Sequence, residues 1–192
     1  MTLHNAEVDS SIIGKPGAET IRIGLIADTH IPREVKILPP EIKEVFQNVD
    51  LILHAGDIYV PEVLDELKTI APVVAARGNG DPEFPEHYQL NRNHVLSING
   101  LNLLLTHAIY SPPPPSPPLN EIVEREFGKK FDIIVQGDSH IASIEKDHGI
   151  LMVNPGSPTV PNGMFALGTV GLLQITKGRT EAQIIRLSKF SA

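Results

Sequence analysis

Residues 21–30 read IRIGLIADTH. Ile21 to Ala27 is a near-continuous apolar run with one charge, Arg22, which is the pattern of a central strand covered on both faces. Directly behind it stand Asp28, Thr29 and His30, with a carboxylate and an imidazole two residues apart. The same arrangement returns four times: Gly56-Asp57 behind LILHA, Gly78-Asn79-Gly80-Asp81 behind PVVAA, Thr106-His107 at the end of LNLLLT, and Gly137-Asp138-Ser139-His140 behind FDIIVQ. Ligands at the ends of several neighbouring strands can converge on one point. A sheet protein builds a catalytic metal centre in this way.

The intervening segments set the order of elements. Residues 40–49 carry Ile42, Val45, Phe46 and Val49, the stripe of an amphipathic helix. Pro61 can open a second helix whose apolar face is Val63, Leu64 and Leu67. The first half therefore reads β-α-β-α-β, which implies parallel strands with helical crossovers. In the second half, Asn99-Gly100 between two apolar runs is a strong hairpin signal. Leu119, Ile122, Val123 and Phe127 mark a helix that Gly128 can close. Strands are expected at 131–135, 141–146, 150–153, 165–175 and 182–187, mostly as antiparallel hairpins. The expected architecture is two packed sheets of mixed type with helices outside.

A chain of 192 residues suits one domain with a sizeable core. Residues 1–20, interrupted by Gly14, Pro16 and Gly17, read as a flexible extension, leaving 21–192 as the single domain. The net charge of −7 argues against a basic grip on a nucleic-acid duplex. A small phosphate ester stays open, because metal ions supply positive charge that a side-chain count misses. The absence of cysteine excludes disulfides, thiolate metal sites and a cysteine nucleophile. MTLHNAEVDSSIIGKPGAET shows no basic start followed by an apolar block, and no apolar run approaches the ~20 residues of a membrane span. A cytoplasmic location is the expectation, and oligomeric state is left open. SPPPPSPP (111–118) reads as an exposed polyproline II loop or flap beside the site, with recruitment of a proline-binding module as the alternative.

The candidate ligands are Asp28, His30, Asp57, Asn79, His107, Asp138 and His140. Seven exceed what one tetrahedral zinc takes. They suit two divalent ions sharing Asp57, with a hydroxide between ions about 3.5–4 Å apart and an in-line displacement at phosphorus. Asp57 and Asn79 are the residues expected to matter most for catalysis, Asn79 also touching a phosphoryl oxygen. Arg77 is read as a salt bridge supporting its loop, and Asp81 as orienting that loop through backbone hydrogen bonds. His54 is assigned a place behind the ligands or in the core. His4, His87, His94 and His148 are read as surface residues, and Asn154-Pro155-Gly156-Ser157 as a tight turn under the site.

Taken in order, DTH, HAGD, RGNGD, LLTHA, GDSH and NPGS resemble the calcineurin-like metallophosphoesterase superfamily, its small bacterial and archaeal phosphodiesterase branch above all, with the retromer subunit Vps29 as a related scaffold. The resemblance covers roughly residues 21–187. It implies an α/β fold, a four-layer α-β-β-α sandwich of two mixed β-sheets. It also implies that Asp28, His30, Asp57 and His140 hold one ion, and that Asp57, Asn79, His107 and residue 138 hold the other. The implied activity is hydrolysis of a small phosphodiester by a metal-bridging hydroxide. Alternatives are a Vps29-like scaffold with a degenerate site, or a phosphomonoesterase or nucleotidase on the same centre.

Three positions depart from the family pattern. Asp138 stands where an imidazole is usual, which shifts the expected ion toward manganese, with zinc, iron, nickel or magnesium as the other candidates. Gly80 follows Asn79 where larger relatives carry a histidine for the leaving group, so good leaving groups or another acid are expected. Ala108 replaces a common glycine.

Overall fold

The computed structural model describes residues 5–7, 18–109, 117–160, 167–177 and 179–187. After a short strand β1 (Asn5–Glu7), the first half folds as β2 (Thr20–Ile26), α1 (Glu41–Val45), β3 (Leu51–His54), α2 (Glu62–Lys68) and β4 (Val73–Ala75). β2, β3 and β4 run parallel, with Ile26 opposite His54 and His54 opposite Ala75. Their carboxyl ends therefore lie side by side, as the helical crossovers require. α1 is shorter than the 40–49 stripe, because Phe46 leaves helical geometry. Ile42 and Phe46 are nonetheless fully buried, so the stripe still faces the core.

β5 (Asn93–Ile98) and β6 (Leu101–Thr106) form the expected hairpin. Asn99 and Gly100 both take positive φ, 49° and 83°, the conformation a two-residue primed turn demands. α3 (Leu119–Phe127) ends at Gly128 in the left-handed region. Then come β7 (Ile133–Val135), β8 (Ser143–Asp147), β9 (Ile150–Asn154), β10 (Thr169–Thr176) and β11 (Arg179–Arg186). The expectation of a mostly antiparallel second half holds except at β7. β8–β9 and β10–β11 are antiparallel hairpins, but β7 lies parallel to both β6 and β9. The pairing with β6 follows from α3, the helical crossover between the two strands. β10 then leaves for the other sheet and pairs antiparallel with β2.

The sheets have the orders β1-β5-β6-β7-β9-β8 and β11-β10-β2-β3-β4. Three buried clusters correspond to the three contacts of a four-layer sandwich. Ile23, Leu25 and Leu53 meet Leu103, Leu105 and Val135 between the sheets. Ile42, Phe46, Leu64 and Leu67 cover Ile26 and Ile52 from one side. Leu119 and Val123 cover Leu104 and Ile134 from the other. Within the segment read as a loose extension, Asn5–Glu7 adds an edge strand parallel to β5. Residues 111–116 of the proline-rich stretch, and 165–166 of an expected strand, lie outside the described residues. Among the described residues no helix is long and apolar enough to cross a membrane.

Candidate metal centre

All seven candidate ligands lie just past strand ends, at the carboxyl edge of the two sheets. Asp28 and His30 follow β2, Asp57 follows β3, Asn79 follows β4, His107 follows β6, and Asp138 and His140 follow β7. Parallel pairing aligns these ends, and open α/β sheets bind ligands there. Each turn is sharp. Asp28, His30, Asp57, Asp138 and His140 all have φ between 48° and 68°, a region non-glycine residues enter rarely, Asp and His more readily than most. Such strain clusters at functional sites.

Hydrogen bonds knit the turns together. Asp28 N–H donates to Gly56 O at 2.9 Å and His30 N–H to Asp57 O at 3.1 Å. Asp138 N–H donates to Asp28 Oδ2 at 3.1 Å. Asn154 Nδ2 donates to Gly137 O at 2.8 Å and to Ser139 Oγ at 3.0 Å, while the Ser157 hydroxyl donates to Asp28 O at 2.7 Å. The 154–157 turn thus braces two ligand loops from below, in keeping with its reading.

The ligand atoms converge. Asp28 Oδ1 lies 3.9 Å from His30 Nε2 and 3.7 Å from His140 Nε2. Asp57 is divided between two imidazoles: Oδ2 is 3.5 Å from His30 Nε2, and Oδ1 is 3.5 Å from His107 Nε2. His107 Nε2 is also 3.5 Å from Asp138 Oδ1, which in turn sits 3.5 Å from Asn79 Nδ2. Two three-residue groupings emerge, Asp28-His30-His140 and Asp28-Asp57-His107, which share Asp28 rather than Asp57. The nitrogen His107 turns toward Asp28 is Nδ1, which donates to Ala55 O at 2.7 Å. Only Nε2 of His107 is left for an ion, and it faces Asp57 and Asp138. A ring nitrogen donating to a backbone carbonyl while the other ligates is the usual way a metal histidine is oriented.

Divalent cations fit this donor set. Among the described residues, His30 Nε2 and His107 Nε2 are buried without any hydrogen-bond partner, an arrangement that costs free energy unless something else occupies their lone pairs. Burial, followed by the neighbouring Asp57 carboxylate, pushes the Asp28 carboxyl up to about 8. A cation offsets both causes. Asp28, His30, Asp57 and His107 are buried, His140 is half-buried, and Asn79 and Asp138 stand exposed at the mouth. Beside them opens a cleft of about 650 Å³, lined by Arg77, Asn79, Arg92, His107, Ile109 and Phe127.

The supporting residues refine the reading. Asp81 does more than orient its own loop: besides Gly78 N–H at 2.8 Å, it accepts the N–H groups of Asp57, Ile58 and Tyr59 at 3.0, 2.6 and 2.8 Å. Arg77 pairs with Glu83 at 2.6 Å, as expected. His54 is fully buried, and burial pushes it down to about 3. Its Nδ1 accepts Gly56 N–H at 3.2 Å, so Nε2 carries the proton toward Thr29 Oγ1, also at 3.2 Å. His94 was expected on the surface. It is buried on β5, with Nε2 2.8 Å from Ala75 O, because β5 lies against the end of β4. Sequence reasoning missed Thr159, whose hydroxyl donates to Thr29 O at 2.7 Å, and Tyr59, whose ring packs on His30 with centroids 4.7 Å apart. Neither carries a sequence signal, since one is a threonine in a turn and the other an aromatic after Gly-Asp.

Two sheets with helices outside, and carboxylates and imidazoles gathered at one sheet edge, form a metallophosphoesterase-type fold. The chain belongs to the calcineurin-like phosphoesterase superfamily, whose domain matches residues 21–178. It is 35% identical over 166 residues to a probable metallophosphoesterase of Methanothermobacter thermautotrophicus, covering 85% of this chain and 91% of that one. It is 38% identical over 146 residues to a probable metallophosphoesterase of Methanocaldococcus jannaschii, 74% of this chain and 70% of the relative. Among solved structures, Vacuolar Protein Sorting 29 of Cryptosporidium parvum shares the fold with a TM-score of 0.69 at 23% identity, covering 90% of this chain and all of that one (100%). A structure described as a novel archaeal phosphodiesterase shares it with a TM-score of 0.65 at 22% identity, over 87% of this chain and 100% of that one.

Proposed function

We propose that this chain is a metal-dependent phosphodiesterase that hydrolyses a small phosphodiester at a dinuclear centre, with manganese as the favoured ion. The single observation that carries the reading is the division of Asp57, one oxygen toward His30 Nε2 and the other toward His107 Nε2, both nitrogens buried and, among the described residues, unpartnered. Asp28, His30, Asp57 and His140 are the residues that would hold one ion. Asp57, Asn79, His107 and Asp138 would hold the other. Divalent ions held by these residues would lower the pKa of coordinated water and offset the negative charge that grows on the phosphoryl oxygens.

The chain's own groups do the rest. Gly80 N–H donates to Asp57 Oδ1 at 2.9 Å and fixes the carboxylate that both halves share. Ala55 O fixes the tautomer of His107, and Asp81 fixes the backbone under Asp57. The exposed Asn79 carboxamide is placed to meet a phosphoryl oxygen at the mouth. The cleft beside it has room for one ester substituent, and its lining carries both signs of charge, Arg77 and Arg92 with Glu83 and Glu126. Asp138 in place of an imidazole makes the second donor set harder, which favours manganese or magnesium over zinc. The archaeal phosphodiesterase with the same fold supports diester over monoester.

The test is a metal-by-substrate matrix on metal-stripped protein, using bis-aryl and mono-aryl phosphates beside Asp57→Asn. Faster turnover of the diester with manganese is expected. A monoester preference would make the protein a phosphomonoesterase. No turnover with any divalent ion would move it to the non-catalytic scaffolds of the family.

A further inference from the structure

We propose that Tyr59 is a substrate-contacting residue of this centre, its hydroxyl donating a hydrogen bond to an oxygen of the phosphate group bound beside Asn79. The inference rests on the phosphoesterase reading above and adds a residue to it.

Tyr59 is held in a conformation that local sequence does not favour. Its φ is 75°, in a region that bulky side chains avoid and that persists only when surrounding structure imposes it. The imposing group is Asp81, a buried carboxylate that takes the Tyr59 N–H at 2.8 Å. The result is a ring aimed at the ligands rather than at solvent: its centroid is 4.7 Å from that of His30, with the planes inclined at 52°.

The ring also explains the residue at position 80. A Cβ there would lie 2.5 Å from Tyr59 Cε1 and 3.0 Å from the hydroxyl oxygen. Glycine is the only residue that leaves this space free, and the phenol fills it. The Tyr59 hydroxyl therefore sits where a side chain following Asn79 would otherwise reach, beside the exposed Gly80. Among the described residues it makes no hydrogen bond. A phenylalanine would pack on His30 equally well. What a tyrosine adds is one donor, and a half-buried phenol normally finds a partner for it. A phosphate oxygen at the mouth is the acceptor that this position meets.

The test compares Tyr59→Phe, Tyr59→Ala and Gly80→Ala with wild type. Inorganic phosphate is titrated calorimetrically into each manganese-loaded protein, and kcat and KM are measured on a bis-aryl phosphate. Tyr59→Phe should keep its manganese content and melting temperature. It should bind phosphate about tenfold more weakly and lose about 10–100-fold in kcat/KM, the scale of one hydrogen bond to a charged group. Gly80→Ala should show a comparable loss by displacing the ring, and less than about twofold further loss in the Tyr59→Ala background, where no ring remains to displace. Unchanged phosphate affinity and kcat/KM in Tyr59→Phe would overturn the role of Tyr59 while leaving the phosphodiesterase reading intact. So would a Gly80→Ala loss that persists in full without the ring. A wild type that binds phosphate but turns over no ester would sink the phosphodiesterase reading alone, and the Tyr59→Phe titration would then decide for or against Tyr59. No phosphate binding by wild type would overturn both.

Discussion

The backbone of Asp57 hangs from the side chain of Asp81: the Asp57 N–H donates to Asp81 Oδ2 at 3.0 Å. The same carboxylate collects Ile58, Tyr59 and Gly78, so one buried acid ties the loop after β3 to the loop after β4. Asp81→Asn replaces one acceptor oxygen with an amide and leaves at least two of these N–H groups without a partner. The expected cost is roughly 2–5 kcal/mol, seen as a melting temperature lower by about 5–15 °C. A thermal melt unchanged to within about 2 °C would show that the loops are held by something else.

Asp57→Asn tests the proposed sharing of Asp57 directly. It keeps the shape of the side chain but removes its charge and places a donor where His30 or His107 needs none. Bound metal per chain should fall. Activity should drop at least about 100-fold, since loss of even a group behind the ligands typically costs 10–100-fold. Elemental analysis and turnover measured on the same preparation check this, and activity that survives would count against a centre organised on Asp57.

The metal-free protein should lose stability as pH rises. Asp28 has an ordinary value of 3.8, and burial with the Asp57 carboxylate lifts it to about 8. Between those values the folded chain holds a proton that the unfolded chain has released, so stability falls as pH rises through that window and levels off above it. Asp28→Asn should flatten this dependence. For the same reason manganese binding near neutral pH should release a proton from Asp28, a release that calorimetry in buffers of different ionisation enthalpy can count. A flat stability profile of the metal-free wild type from pH 5 to about 8 would contradict the assignment.

Asp138→His should restore an imidazole beside His107 Nε2. Zinc affinity of the second set of ligands is expected to rise by about 10–100-fold, with manganese gaining little. The Asp138 side chain is half exposed, so the exchange should leave the melting temperature nearly unchanged. Zinc held tightly at both positions by the wild-type chain would show that Asp138 does not tune the metal.

Much of the fold was legible because its signals are local. Apolar runs, the 61–67 stripe, Asn99-Gly100 and Gly128 each act through their own backbone geometry or periodicity. The parallel pairing of β7 with β6 was implied by the helix read at Leu119–Phe127, but its place beside β9 was not legible, since an apolar triplet such as Ile133-Ile134-Val135 names no neighbour. The burial of His94 depends on where β5 meets β4, a relation between residues 19 apart that no local pattern encodes.

For the centre, the sequence alone determined the donor types and their order, because each donor ends a strand and chain order limits how parallel ends can meet. The tertiary structure decided which atoms face which. The Nδ1 bond of His107 to Ala55 leaves only Nε2 for an ion, the left-handed turns bring Asp28 and Asp57 to 3.9 and 3.5 Å from His30 Nε2, and Asp81 turns Tyr59 inward over Gly80. These are choices of side-chain direction. They are made by contacts between loops far apart in the chain, and the residues themselves carry no trace of them.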